Sequence, residues 1–74
     1  MPIVQSVLIN KHHYTLDEAI NILLNYGLTL KKVDETSNYY RFRQVEPKKL
    51  KNQGYTKVKT NKINEYIYFI TYYK

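Results

Sequence analysis

Lys32-Val33-Asp34-Glu35-Thr36-Ser37-Asn38-Tyr39-Tyr40-Arg41-Phe42-Arg43-Gln44 is the stretch that decides how this chain folds. Asp34 to Asn38 are residues whose side chains bond back to their own backbone and favour turns. Beyond them the residues alternate by chemistry. Side chains in a strand alternate with period two, so Tyr39, Arg41 and Arg43 share one face and Tyr40, Phe42 and Gln44 the other. The second face suits a core. The first carries two arginines beside an aromatic ring and reads as a contact surface.

Outward from that strand, Leu28–Val33 reads as its hairpin partner, folded back through the Asp34–Asn38 turn. Upstream, Thr15-Leu16-Asp17-Glu18 fits a capping box, with Thr15 at the N-cap and Glu18 at N3. Leu16, Ala19, Ile20, Leu23 and Leu24 then follow the spacing of one helix face. Gly27 stands where a left-handed stop is expected, so the spacing predicts a helix over Leu16–Tyr26. Ile3–Ile9 is a short apolar run after Pro2 and reads as a buried strand. Downstream, Glu46-Pro47 ends the arginine strand and a lysine-rich loop follows to Gly54. Tyr55–Thr60 alternates again, Asn61–Asn64 suits a turn, and Tyr66–Tyr73 is strongly β-prone.

The expected order is β-α-β-β-β-β: one α+β domain over residues 1–74, a single helix packed on a small, mostly antiparallel sheet. One helix cannot cover both faces. The open face is expected to carry Arg41, Arg43, Lys57 and Lys59 and to be solvated or occupied by a partner, an assignment that a one-residue slip would reverse.

Charge is placed unevenly along the chain. The formal net charge is +6. Residues 1–38 hold three lysines against four carboxylates, whereas 39–64 hold Arg41, Arg43 and six lysines against Glu46 alone. An anionic partner is drawn to the second half. Composition by itself is weaker support, because Lys, Asn, Ile and Tyr make up 33 of the 74 residues and all four have A/T-rich codons. Placement matters more.

Several classes are excluded or disfavoured. With no cysteine, disulfides, thiolate metal sites and thiol nucleophiles are impossible. No apolar run approaches the roughly 18 residues of a membrane span, and no secretory signal pattern is visible. His12-His13 are adjacent, without a third ligand at suitable spacing, so no metal is expected. Asp17 and Glu18 suit the helix dipole, and Asp34 and Glu35 suit the hairpin or an arginine. Ser6 and Ser37 lack a linked base. Gly27 and Gly54 stand alone, so no phosphate-cradling loop or cofactor is expected. No catalytic set assembles, and the chain reads as a binder rather than an enzyme.

The quoted stretch also resembles a small domain of tailed phages and large DNA viruses. Ser6-Val7-Leu8-Ile9-Asn10-Lys11 is similar to that family's opening strand, Thr15-Leu16-Asp17-Glu18-Ala19 and Asn25-Tyr26-Gly27 to its helix and stop, and Thr56-Lys57-Val58-Lys59-Thr60 to its basic strand. The resemblance spans residues 4–62, and the ending Tyr66–Lys74 departs from it. In some phage proteins a similar segment sits beside a maturation protease domain, though no protease residues lie within it. The resemblance implies a viral, non-enzymatic module in the host cytoplasm or the virion, not secreted, and no established activity.

Two binding readings follow. In the first, nucleic acid, RNA or DNA, lies on the basic-aromatic face. Arg41, Arg43, Lys57 and Lys59 meet phosphates, Tyr39 and Tyr55 stack on bases, and Lys48, Lys49 and Lys51 extend the field. In the second, a viral or host protein, or a second copy in a homodimer, adds to the tyrosine-rich last strand, whose Tyr66, Tyr68, Tyr72 and Tyr73 exceed what one helix can cover.

Overall fold

A computed structural model describes residues 2–74. Among them are five strands and two helices, in the order β1 (Ile3–Asn10), α1 (Leu16–Asn25), β2 (Lys32–Glu35), β3 (Tyr39–Arg43), α2 (Pro47–Asn52), β4 (Lys57–Asn64) and β5 (Ile67–Tyr73). The strands form one antiparallel sheet in the spatial order β2-β3-β1-β5-β4. The fold is α+β, as the alternation of the quoted stretch implies.

Helix α1 starts as its sequence dictates. The Thr15 amide donates to Glu18 Oε1 at 2.9 Å and the Glu18 amide to Thr15 Oγ1 at 3.2 Å, so two orphan donors of the first turn are satisfied reciprocally. Gly27 ends the helix at φ +75°. Its amide donates to the Leu24 carbonyl and that of Leu28 to the Leu23 carbonyl, the two bonds of a Schellman stop. The buried face is narrower than the spacing implies. Ala19 and Leu23 are fully buried, with Ile20 and Ile22 against the core, whereas Leu16 and Leu24 stay exposed. Val7, Ile9, Phe42 and Ile67 form the sheet side of that core. Burying a side chain of this size contributes roughly 1.5–3 kcal/mol.

Four local expectations are corrected. Leu28–Lys31 is not a strand: β2 starts only at Lys32. The Schellman stop tucks Leu28 against the core, and Gln44 then captures Thr29, accepting from its amide and hydroxyl and donating to its carbonyl. These residues therefore cross the end of the sheet instead of running beside β3. The hairpin turn is correspondingly shorter, and Asp34 and Glu35 lie inside β2. Finally, the lysine-rich segment is a helix, with Pro47 at its start and Gly54 (φ +90°) after its end. Gly54 and Tyr55 donate to Lys51 and Leu50 carbonyls, repeating the α1 stop. Strand β4 also runs through the expected turn as far as Asn64.

Cross-strand partners share a face, so the ladders sort the side chains. Val7 pairs with Phe42 and Phe69, and Ile9 with Tyr40 and Ile67; this is the α1 face. Leu8 pairs with Arg41 and Tyr68, and Ser6 with Arg43 and Ile70; this is the other face. Ser6 and Tyr72 are nonetheless buried there, as is Leu50, outside the α1 core. Lys49 also lines a cleft with Lys32 and Arg43, which leave the sheet on that side. Helix α2 therefore covers one end of the second face. The rest stays open.

Candidate functional site

The antiparallel order brings the chain's segments to two ends. At one, the turn end, lie the start of α1 and the β2–β3 and β4–β5 turns. At the other, the crossover end, lie the Leu28–Lys31 return, the close of β3, α2, and the start of β4. Lys31, Lys32, Arg43, Lys48, Lys49, Lys51 and Lys57 all fall at the crossover end, opposed there by Glu46 and Asp34. The sequence surplus of positive charge is therefore a pole in three dimensions, able to focus an anionic partner.

Within that pole, Lys31, Lys32, Arg43, Gln44, Val45, Glu46 and Lys49 line a cleft of about 280 Å³. Arg43 Nε lies 3.2 Å from Asp34 Oδ2, an ionic contact whose angle falls outside hydrogen-bond alignment. Its other arm reaches Glu46 Oε2 at a loose 3.9 Å. The expected neutralisation of an arginine across the hairpin is present at Arg43. Glu35 instead pairs with Lys11 at 2.9 Å. Arg41 faces Asp34 in register, yet among the described residues no carboxylate oxygen lies within ion-pair distance of its guanidinium.

The open part of the second face is basic and aromatic. Tyr39 and Tyr68 meet edge to face, ring centroids 6.1 Å apart, an orientation that aromatic quadrupoles favour. Arg41, Leu8, Tyr68 and Lys62 make one row across β3, β1, β5 and β4. All but Lys62 are half-buried, so their positions are fixed while their outer atoms remain available.

The nine expected residues thus divide. Tyr39 and Arg41 share the open face. Arg43, Lys48, Lys49 and Lys51 belong to the basic end that adjoins it. Lys57 reaches the basic end as well, but neither it nor Lys59 joins Arg41 on the open face. They pair with Tyr73 and Thr71, which puts them on the α1 face of the far edge strand. Tyr55 sits after α2 with the Lys74 ammonium 5.0 Å above its ring. The expected sheet extension through the last strand is also corrected: β5 is hydrogen-bonded to β1 on one side and β4 on the other, so it has no free edge. The long free edge is β4, studded with lysines and bulged near Asn64, both devices that discourage strand addition.

Lys31, Lys32, Lys62 and Tyr68 join the site although the alternation of β3 does not point to them. The hairpin itself held the signal for Lys32, since a turn at residues 36–38 sets it opposite Arg43.

The Thr15 amide and then its hydroxyl hold the Glu18 carboxyl below its ordinary value, a capping effect at the turn end. No cluster of three or more His, Cys, Asp or Glu suited to a metal occurs among the described residues, and none of their helices is long and apolar enough to cross a membrane. No family model, curated protein or solved structure matches the chain.

Proposed function

We propose that the protein is a non-enzymatic module that binds single-stranded nucleic acid, with phosphates at the crossover end and bases on the open face. The observation that supports this best is the convergence of Lys31, Lys32, Arg43 and Lys49 on one cleft, next to a face carrying Arg41, Tyr39 and Tyr68. Lysine and arginine meet phosphates by charge, and bases stack on tyrosine whatever their identity. A narrow face with two tyrosines suits unstacked bases better than a duplex, whose base faces are hidden. Lys57 and Lys59 contribute only to the general field. The resemblance of residues 4–62 to a viral domain makes a host cytoplasm or a virion the setting of this reading.

The test is an affinity titration with labelled single strands and duplexes over a range of salt. Three or four neutralised phosphates on a single strand give a log–log salt slope of about −2 to −3. Tyr39→Ala with Tyr68→Ala should weaken single-strand binding at least tenfold, from about 1–3 kcal/mol per stacked base, while leaving the slope unchanged. Absence of binding at low salt, with the fold intact, would refute the reading.

A further inference from the structure

The cleft at the crossover end supports a narrower assignment, which rests on the nucleic-acid reading. We propose that it seats the terminal phosphate monoester of a strand, so that the module engages chain ends in preference to chain interiors.

Charge is the first argument. Asp34 and Glu46 offset two of the four cations around the cleft, leaving a surplus of two positive charges. A phosphate monoester carries about −1.5 to −2 at neutral pH, whereas each internal diester carries one negative charge. The surplus matches the end group.

Shape and rigidity are the second. A void of about 280 Å³ sits at the lower limit of small-ligand sites, roughly 300–1,000 Å³. That is room for a phosphate with its sugar. Its walls are tied to the fold. Gln44 grips Thr29 by three bonds of 2.8–2.9 Å, and the Lys31 ammonium donates to the Gln44 carbonyl at 3.4 Å. Val45 is held by Gln5, whose side-chain Nε2 donates to its carbonyl at 2.9 Å. The lysines therefore project toward the void from an ordered backbone frame, and the cost of ordering them is confined to their side chains.

Arg43 is the third. Asp34 anchors its Nε side, while the Glu46 contact at 3.9 Å is long and that carboxylate largely exposed. A phosphate can replace Glu46 at the outer edge of the guanidinium without disturbing the anchor, exchanging a loose ion pair for the bidentate geometry that arginine offers phosphate.

The experiment compares one short oligothymidylate in three forms: a 5′-phosphate, a 3′-phosphate, and hydroxyls at both ends. One phosphorylated form should bind at least about tenfold tighter than the hydroxyl form, the scale of one charge-assisted contact. Lys31→Ala with Lys32→Ala should bring that preference toward one. Arg41→Ala, off the cleft, should weaken all three forms and keep the preference. Equal affinity for the three forms overturns this inference and leaves the nucleic-acid reading standing. Binding to none of them overturns both. A titration with inorganic phosphate, followed by amide shifts at Lys31, Arg43 and Val45, separates a free-phosphate site: saturation there without an end preference also overturns the assignment to strand ends.

Discussion

The two ends of the sheet are built from similar residues and arranged in opposite ways. At the turn end, charges and rings find partners in the fold. Lys11 holds Glu35 at 2.9 Å, His12 Nε2 lies 3.1 Å from the Ser37 carbonyl oxygen, and His13 stacks on Tyr66 with centroids 3.6 Å apart. Thr15 and Glu18 cap the helix. At the crossover end, lysines surround a cleft and, among the described residues there, Arg43 alone meets a carboxylate, while Lys31 donates to a backbone carbonyl. An A/T-rich codon usage would scatter lysine over both ends. The difference teaches that placement, not composition, distinguishes a surface that stabilises the fold from one left available to a ligand.

The largest way to break this contrast is to detach α2. Leu50 is 1% exposed and anchors a helix of six residues, too short to persist alone. Leu50→Ala should cost about 2–4 kcal/mol in a denaturant midpoint shift and should also abolish nucleic-acid binding near the cleft. Phe42→Ala would destabilise comparably by emptying the α1 core. Only the Leu50 variant should lose binding under conditions where most molecules remain folded.

Smaller changes sharpen the contrast. Gly54→Ala keeps space for a Cβ, since nothing lies within 4 Å, but forces alanine to φ +90°. The cost should be about 1–2 kcal/mol, with α2 frayed and affinity reduced. Thr15→Ala removes the cap at the other end and should cost about 1 kcal/mol, while affinity stays within twofold of the parent, about 0.4 kcal/mol. Thermal unfolding and the titration, read together, separate the two. Smallest is the pH effect of Glu18. Its carboxyl is held below the ordinary value, so its stabilisation is complete above the unfolded pKa and disappears as pH falls through the folded one. Glu18→Ala should flatten that part of the acid limb in a pH series of melts.

Much of the fold can be read from the chain, and its failures have a common physical origin. The alternation of Tyr39–Gln44 correctly separates Phe42 from Arg41 and Arg43, because a strand with one covered face must place its apolar residues there. The capping box and Gly27 locate α1, because those signals act within a few residues. Residues 28–31 are different. Their path depends on Gln44, fifteen residues from Thr29, and local alternation cannot report such a contact. Helix α2 carries the signals of Pro47 at its start and Gly54 after its end, but with one buried residue, Leu50, it has no periodic stripe.

The candidate site was legible in the same proportion. The alternation of β4 is real, yet β4 is an edge strand with Val58 55% exposed, so its apolar residue does not mark the core. The ladder with β5 sets its faces, and it sends Lys57 and Lys59 away from Arg41. Residues of β3 and α2 are adjacent in sequence and were found together. Lys31 and Lys32 reach the cleft through tertiary structure.

The most direct test of the two-ended account is amide shift mapping with a single-stranded oligonucleotide at low salt. The account predicts the largest shifts at Lys31, Lys32, Arg43 and Lys49, continuing to Arg41 and Tyr68, with His13, Thr15, Glu18 and Glu65 unmoved. Shifts confined to His13, Thr15, Glu18 and Glu65, or none at saturating strand concentration, would contradict it.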